Sequence, residues 1–524
     1  MKKGPLQHVT GSLLAEPRIS RLLSRWGNKV ITKNLFGFGF FWIACLGSAG
    51  LVAQVAEEPQ LTRGPYLQAL QKESVVILWE THLPSLGAVH VQPEGGQESV
   101  VVESEPKLEH EVWLGNLAAG APYSYRVFDA DHALHEEVFR FRTAPPSKAD
   151  PVKAVVFGDS GLGSQDQTDV AQVIRSLKPD LLLHMGDLSY TGSLDYVFFW
   201  YYQDLLAQKA FYVTRGNHDV HHDWRAQFPP PNENDEGRAS YYSFDWGCAH
   251  FVCFDFNDDA VTGGTQLDWV DRDLAQARSS GVNWLILYCH EPPFTVGTYG
   301  DPPDAENTQR IMRLMIPPLA DKYGIDLVLS GHDHNYQRSH PVRNDAIVDA
   351  WQSPRFVAPA GTIYVVTGGG GVSLYKEDPT SDHRFTERFV LAHHAVSLSI
   401  TPEELSVEAI SPSLGQIDAF SIVKHGTQPR YRFVRGDADS DGTVNLTDAV
   451  RILGHLFLGR ALECSSLAYV VADANASGQV GLDDAVHILN FLFLGGPPPA
   501  SPFPECGADD EADGESCRPN GCRA

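Results

Sequence analysis

The sequence predicts a multidomain chain: an N-terminal all-β sandwich, a central α/β domain and a small C-terminal α-helical pair. Three observations carry this. Residues 58–146 alternate apolar and polar without a helical period, as in S-V-V-I-L-W-E-T and Y-S-Y-R-V-F, which is the pattern of half-buried strands. Over residues 157 to 334 five short motifs, F-G-D-S-G, M-G-D-L-S-Y, R-G-N-H-D, Y-C-H-E and S-G-H-D-H, each follow an apolar run. Near Lys424 the composition changes, and a stretch beginning at Asp437 recurs 36 residues later at Asp473, the mark of an internal repeat.

At 524 residues the chain has length for several domains and an ample core. Lys plus Arg is 40 against 66 for Asp plus Glu, a net charge of -26. Such acidity repels a polyanion and argues against a nucleic-acid-binding surface. Basic residues Lys2, Lys3, Arg18, Arg21, Arg25, Lys29 and Lys33 precede an apolar run from Leu35 to Ala56. That order predicts a signal peptide over 1–56, hence a secreted, periplasmic or surface-attached protein with no membrane span once the signal is removed. A membrane anchor is the competing reading, opposed by Gly37, Gly39, Gly47 and Gly50, which dilute the run. The stretch W-I-A-C ending at Cys45 is a poor lipoprotein attachment site, with tryptophan where leucine is expected.

The β segment ends in V-F-R-F-R-T-A-P-P, where Pro145, Pro146 and Pro151 mark a linker. Beyond it the apolar runs K-A-V-V-F, L-L-L-H-M, F-Y-V-T, W-L-I-L-Y-C and I-D-L-V-L precede Asp159, Asp187, Asn217, His290 and His332. They read as buried strands of one sheet, whose ends bring residues scattered in sequence to one place. Glycines at 158, 186, 216 and 331 stand where a chain leaving a strand must turn sharply and let backbone approach an ion.

The candidate ligand set is Asp159, Asp187, Tyr190, Asn217, His290, His332 and His334. Carboxylate, amide, imidazole and phenol in this number exceed one four-coordinate ion. They suit two ions that share a bridging carboxylate and leave positions open for solvent and substrate.

Over about residues 60 to 423 these motifs resemble the calcineurin-like metallophosphoesterases, and D-x-x-Y at Asp187 to Tyr190 is similar to the purple acid phosphatase branch. The resemblance implies an αββα sandwich over 152–423 and a dinuclear centre. Asp159, Asp187, Tyr190 and His334 would hold Fe3+, and Asp187, Asn217, His290 and His332 would hold Fe2+, Zn2+ or Mn2+. A phenol of ordinary pKa about 10 binds as phenolate near neutral pH only to a strong Lewis acid, which agrees with a trivalent ion. The implied activity is acid phosphatase: hydrolysis of phosphomonoesters by in-line attack of metal-activated hydroxide. His218 would contact phosphate and help protonate the leaving group, or else only orient its neighbour Asn217. The same core also serves phosphodiesterases and nucleotidases. Segment 58–146, with R-G-P-Y-L-Q at its head, resembles the fibronectin-III-like domain that precedes the catalytic domain in this branch.

Downstream of His290, where plant-type members carry a histidine pair, this chain has T-V-G-T-Y-G-D-P-P. His221 and His222 are candidates for that role, or a solvated pair. G-D-S-G-L-G lacks a following G-K-[ST] and so is not read as a phosphate-cradling loop, and Gly368 to Gly371 read as a tight turn. Arg338 is left as either a substrate contact or a surface ion pair. Cys248, Cys253 and Cys289 read as buried thiols, the first two being too far apart to pair along an extended strand. Cys464, Cys506, Cys517 and Cys522 fit disulfides of an oxidising compartment.

In the repeat, Asp437, Asp439, Asp441, Thr443, Asn445 and Asp448 fall at positions 1, 3, 5, 7, 9 and 12, with Gly442 at 6. Asp473, Asn475, Ser477, Gln479 and Asp484 repeat the pattern around Gly478. This is the spacing of an EF-hand calcium loop, and each loop runs into an amphipathic helix. The preceding R-Y-R-F-V-R-G looks extended, so an entering helix is missing. Residues 430–496 resemble a type I dockerin, which implies bound Ca2+ and a cohesin-type protein partner, with a Pro/Cys-rich tail over 497–524. A calcium-stabilised cap without a partner is the competing reading. The alternative from another class altogether is a calcium-dependent scaffold or adhesion protein whose phosphatase-like domain only binds.

Overall fold

The computed structural model describes residues 58–130, 132–219, 224–232, 240–257, 264–300, 308–424, 432–439, 441–460, 462, 471–477, 480–501, 503–504 and 507–508. The expected signal over 1–56, His221, His222, Gln479, Gly478 and Cys464, Cys506, Cys517 and Cys522 lie outside them. Among the described residues no helix is long and apolar enough to cross a membrane.

The N-terminal β region forms two antiparallel sheets. Leu61–Gln68, Val75–Ser85 and Lys107–Leu114 make the first. Ser99–Val102, Gly87–Pro93, Pro122–Asp129, His132–Ala133 and Phe139–Arg142 make the second. The period of two in the sequence is realised directly: in Pro122–Asp129 the buried residues Tyr123, Tyr125 and Val127 alternate with partly exposed ones. They share one apolar cluster with Ile77, Trp79 and Val112 of the other sheet, the arrangement of a sandwich.

That cluster continues into the central domain, and polar contacts fix the junction. Arg63, which also pairs with Glu80 inside the sandwich, pairs with Asp195 of the central domain at 2.5 Å, the Tyr125 hydroxyl donates to the Ala207 carbonyl at 2.7 Å, and Gln203 Nε2 donates to the Pro65 carbonyl at 2.7 Å.

The central domain is built on two seven-stranded mixed sheets rather than the single sheet the strand pattern suggests. Ala210–Val213, Leu181–His184 and Val152–Phe157 are adjacent and parallel in the first, whereas Trp284–Tyr288 and Leu327–Ser330 are adjacent and parallel in the second. Apolar runs report burial on both faces but not which sheet supplies the cover. Here each sheet covers the other: Ala154, Val156 and Leu183 share a cluster with Phe251, Ile286 and Leu329.

The outer faces are closed by helices. Gln165–Leu177 starts at Ser164, whose hydroxyl accepts the Gln167 N–H at 3.0 Å, and ends at Lys178 in the left-handed region. Its buried Gln167, Val170, Ala171 and Ile174 fall on one face at helical spacing, and the apolar three pack on Val155, Phe157 and Leu182. Thr265–Ser279 and Thr308–Tyr323 cover the second sheet through Val270, Leu274, Met312 and Ile316. The layer order is therefore αββα.

Arg338 is not a surface group. It is buried and pairs with Glu387 at 2.5 Å and with Asp418 at 2.6 Å. Since Arg338 and Asp418 belong to different sheets, the pair ties the sandwich together. Cys248, Cys253 and Cys289 are buried free thiols.

Two C-terminal helices, Leu446–Leu458 and Leu482–Leu494, form a pair with its own core of Ala449, Ile452, Ala485 and Ile488. Arg432–Phe433 is extended and pairs with Gly507–Ala508, so among the described residues no helix enters the first loop.

Candidate metal centre

The five strand ends converge. Asp159, Asp187 and Asn217 follow strands of one sheet, and His290, His332 and His334 follow strands of the other. The Tyr190 hydroxyl lies 2.8 Å from Asp187 Oδ2, 3.0 Å from Asp159 Oδ1 and 3.0 Å from His334 Nε2. On the other side of Asp187, His290 Nε2 lies 3.4 Å from its Oδ2, 3.2 Å from Asn217 Oδ1 and 3.2 Å from His332 Nδ1. Asp187 thus belongs to two overlapping groups of side chains. The imidazoles are held by their far nitrogens: His290 Nδ1 sits 2.6 Å from the Met185 carbonyl and His334 Nδ1 2.8 Å from the Ser373 carbonyl. This leaves each Nε2 facing the cluster.

The sharp turns fall on the candidate ligands themselves. Asp159, Asp187 and His332 have φ of 57°, 57° and 66°, and of the four preceding glycines only Gly186 shares that region. Gly216 serves close approach instead, since a Cβ there would meet the Asp187 carboxylate and backbone. Non-glycine residues at positive φ cost of order 1–3 kcal/mol each and persist where surrounding contacts over-determine them. The contacts are present: Asp159 accepts the His332 N–H at 3.0 Å, and Asp187 Oδ1 accepts the His218 N–H at 2.8 Å.

The charges of the cluster would suit a cation. Asp159, Asp187 and His290 are buried, with ligand atoms all within 4.8 Å of one another, so that they could hold a metal ion. Burial pulls His290 down, yet the Asp187 carboxylate outweighs it and holds the imidazole well above its ordinary range. Burial, then repulsion by His290, lowers His332 to about 3. Burial, then Asp159 and Asp187, pushes the Tyr190 phenol far above its ordinary value. Hard oxygen and imidazole donors packed this way, with protons the only counter-charge in the contacts, fit divalent and trivalent ions.

Residues outside the sequence reading complete the site. Asp219, fully buried, accepts the N–H groups of Asp187 at 2.7 Å, Leu188 at 2.9 Å and Gly216 at 2.9 Å. Burial and the neighbouring Asp187 push it up to about 7. Asp333 accepts from Thr295 Oγ1 at 2.5 Å and from the Tyr299 N–H at 3.3 Å. Both acids lie inside motifs, R-G-N-H-D and S-G-H-D-H, and their presence there was the available signal. Gly368 to Gly371 are a packing surface: the Gly370 N–H donates to the Gly158 carbonyl at 2.9 Å, and a Cβ on Gly368 would meet Asp159. His218 is exposed with its ring 4.4 Å from that of Tyr190.

Comparison with known proteins agrees with this arrangement. A family model described as calcineurin-like phosphoesterase matches residues 152–336. The chain carries a calcineurin-like metallophosphoesterase domain. That domain is related to purple acid phosphatases. Purple acid phosphatase 15 of Arabidopsis thaliana is 28% identical over 299 residues, covering 50% of this chain and 53% of the relative. A relative named probable inactive purple acid phosphatase 27, from the same plant, is 27% identical, covering 52% and 50%. Human acid phosphatase type 7 is 25% identical, covering 57% and 75%. The chain thus spans about half the length of the two plant relatives. A purple acid phosphatase from yellow lupin (Lupinus luteus) seeds shares the fold, with TM-score 0.59 and 19% identity over 70% of this chain and 74% of that one.

A second acidic group, Asp437, Asp439 and Asp441, also lies within 4.8 Å and could hold an ion. Gly442, at φ 93°, makes the turn, and its N–H donates to Asp437 Oδ2 at 2.9 Å. Asp448 caps the loop, accepting from Asp439 and Asn445 N–H at 3.1 and 2.8 Å. Asp484 does the same for Asn475 and Gly481 at 3.2 and 2.7 Å. Thr443 and Asn445 stand beside Asp441 in the first loop. In the second, the Ser477 N–H donates to Asp473 and Asn475.

Because Asp219 alone satisfies three backbone donors around the Asp187 turn, Asp219→Ala is expected to cost about 3 kcal/mol in a urea melt. Asp219→Asn, which keeps one acceptor oxygen, should cost less.

Proposed function

We propose that this protein is a phosphatase of the purple acid type, hydrolysing phosphomonoesters at a dinuclear metal centre. The observation that carries the reading is the sharing of Asp187 between two groups of donors. Asp159, Tyr190 and His334 adjoin it in one group, and Asn217, His290 and His332 complete the other. The first set would hold Fe3+ and the second Fe2+, Zn2+ or Mn2+. Ions there would supply Lewis acidity, lowering the pKa of water they bind from 15.7 to about 7. The residues of the chain do the rest. Asp219 and the Met185 and Ser373 carbonyls keep the donors aligned, which removes reorganisation from the reaction coordinate. His218, at the exposed edge of the cluster, gives a proton to the ester oxygen as its bond to phosphorus breaks. The acidity of the chain, at -26, means that attraction for the phosphate is supplied locally at this centre.

We assign the C-terminal repeat as a dockerin-like calcium module with a cohesin-type partner, and the N-terminal sandwich as the fibronectin-III-like domain of this branch. We read the basic residues and apolar run over 1–56 as a leader, which would direct export to a secreted or surface-attached site of action.

Asn217→Ala and His290→Ala each remove a donor from the second group alone. Both should lower turnover of phenyl phosphate by orders of magnitude while circular dichroism stays unchanged, and near-normal turnover would remove these residues from the centre. On wild type, activity against aryl monoesters should exceed that against matched diesters. The reverse preference would favour a phosphodiesterase, and no activity on either would favour a binding scaffold.

Tyr190 tests the ferric assignment. Iron-replete wild type is expected to be violet through charge transfer from phenolate to metal, and Tyr190→Phe to lose that band while keeping some activity. A colourless, fully active wild type would place two divalent ions in the centre instead.

The calcium loops should differ. The first offers Asp437, Asp439, Asp441 and Asp448, and the second only Asp473 and Asp484 as carboxylates, and ligand charge tunes affinity. Burial pushes Asp448 up to about 7, so a bound cation would remove a cost that protons otherwise carry. Calorimetric titration of the full chain with calcium should resolve two unequal sites. Equal affinities would count against the assignment.

A further inference from the structure

The proposed chemistry leaves two aromatic rings at the edge of the metal centre without a role. Tyr299 has its ring centroid 3.9 Å from that of His332, Tyr375 stacks at 3.9 Å on His334, and the two tyrosines meet edge to face at 5.9 Å. They complete an unbroken series of ring contacts that runs from His218 through Tyr190, His334, Tyr375, Tyr299 and His332 to His290.

Both tyrosines are held by the loop that carries the histidines. The Tyr299 N–H donates to Asp333 Oδ1 at 3.3 Å, the Tyr375 N–H to the His334 carbonyl at 3.0 Å, and Asn335 Nδ2 to the Tyr375 carbonyl at 3.1 Å. Fixed in this way, Tyr299 still keeps 40% of its surface exposed. A phosphate group could use only the hydroxyl of such a residue, whereas a planar leaving group uses the ring itself, because stacking removes apolar surface from water on both partners. In a chain of net charge -26, binding energy for an anionic ester must come from the metals and from uncharged contacts with the leaving group.

The geometry points to Tyr299 and Tyr375 as the residues that select the leaving group: an aromatic lip on which the ring of an aryl phosphate monoester stacks. The inference rests on the phosphatase reading above and adds the substrate class.

The test compares phenyl phosphate with glycerol phosphate on wild type, the double variant Tyr299→Leu/Tyr375→Leu and the double variant Tyr299→Phe/Tyr375→Phe. The Leu pair should lower kcat/KM for phenyl phosphate about 10-fold, mainly through KM, and leave glycerol phosphate within about 2-fold. The Phe pair, which keeps the rings, should stay near wild type. Equal loss on both esters would mean that the rings only brace His332 and His334, and no loss on either would mean that substrate does not reach them. Either result overturns the proposal. Binding gives a readout free of turnover: calorimetry should show phenylphosphonate preferred over methylphosphonate by wild type and the Phe pair, and not by the Leu pair. If wild type hydrolyses neither ester, the phosphatase reading fails, and the phosphonate comparison still decides the lip.

Discussion

Everything at the centre of this molecule depends on holding the Asp187 carboxylate buried between the two sheets. Its Oδ1 takes the His218 N–H, its Oδ2 takes the Tyr190 hydroxyl, and its own N–H goes to Asp219. Those partners come from the Leu181–His184 and Ala210–Val213 ends of one sheet. His290 reaches the same carboxylate from the other, through Nε2 at 3.4 Å. A misregister of either sheet by one residue would turn these side chains to the opposite face. The extensive packing between the sheets, and the buried Arg338 to Asp418 pair across them, therefore act on the site.

How much of this was legible follows from which forces are local. Strand ends and ligand types are local, so five apolar runs followed by Asp159, Asp187, Asn217, His290 and His332 pointed to one cluster, and the structure brings those side chains together. The EF-hand-like spacing is local too, and Gly442 at φ 93° makes the turn that the pattern requires. The number of sheets was not legible from the runs, because Val156 and Ile286 are equally apolar whether their cover is a helix or another sheet. The left-handed turn at Asp159, Asp187 and His332 was assigned to the glycines before them, since propensity favours glycine there. Packing overrides propensity when the neighbouring loop comes as close as Asp187 does to Gly216.

Contacts between distant segments stayed hidden for the same reason. Nothing near Arg338 in sequence announces Asp418 or Glu387, and no local pattern joins Tyr299 to His332 or Tyr375 to His334. Asp219 and Asp333 were visible inside their motifs but had no assigned role, because an acceptor of backbone N–H groups leaves no spacing signature. The N-terminal sandwich shows the same division: alternation predicted its strands, whereas the Arg63 to Asp195 pair and the Tyr125 hydroxyl that join it to the central domain depend on tertiary approach.

The energetics of the centre explain why its supporting contacts are so dense. Three non-glycine residues in the left-handed region, two buried carboxylates and a protonated phenol between them all oppose folding, by a sum of order several kcal/mol. Backbone hydrogen bonds accepted by Asp219 and donated by His218 and His332 offset part of that. A cation at Asp159, Asp187 and His290 would offset more, since it replaces the protons that His290 and Tyr190 otherwise hold. Anything that binds the folded state alone stabilises it in proportion to its affinity. The acidic loop at Asp437 follows the same logic, with Asp448 buried against it. In both places carboxylates stand close together, and a cation bound there would offset their mutual repulsion.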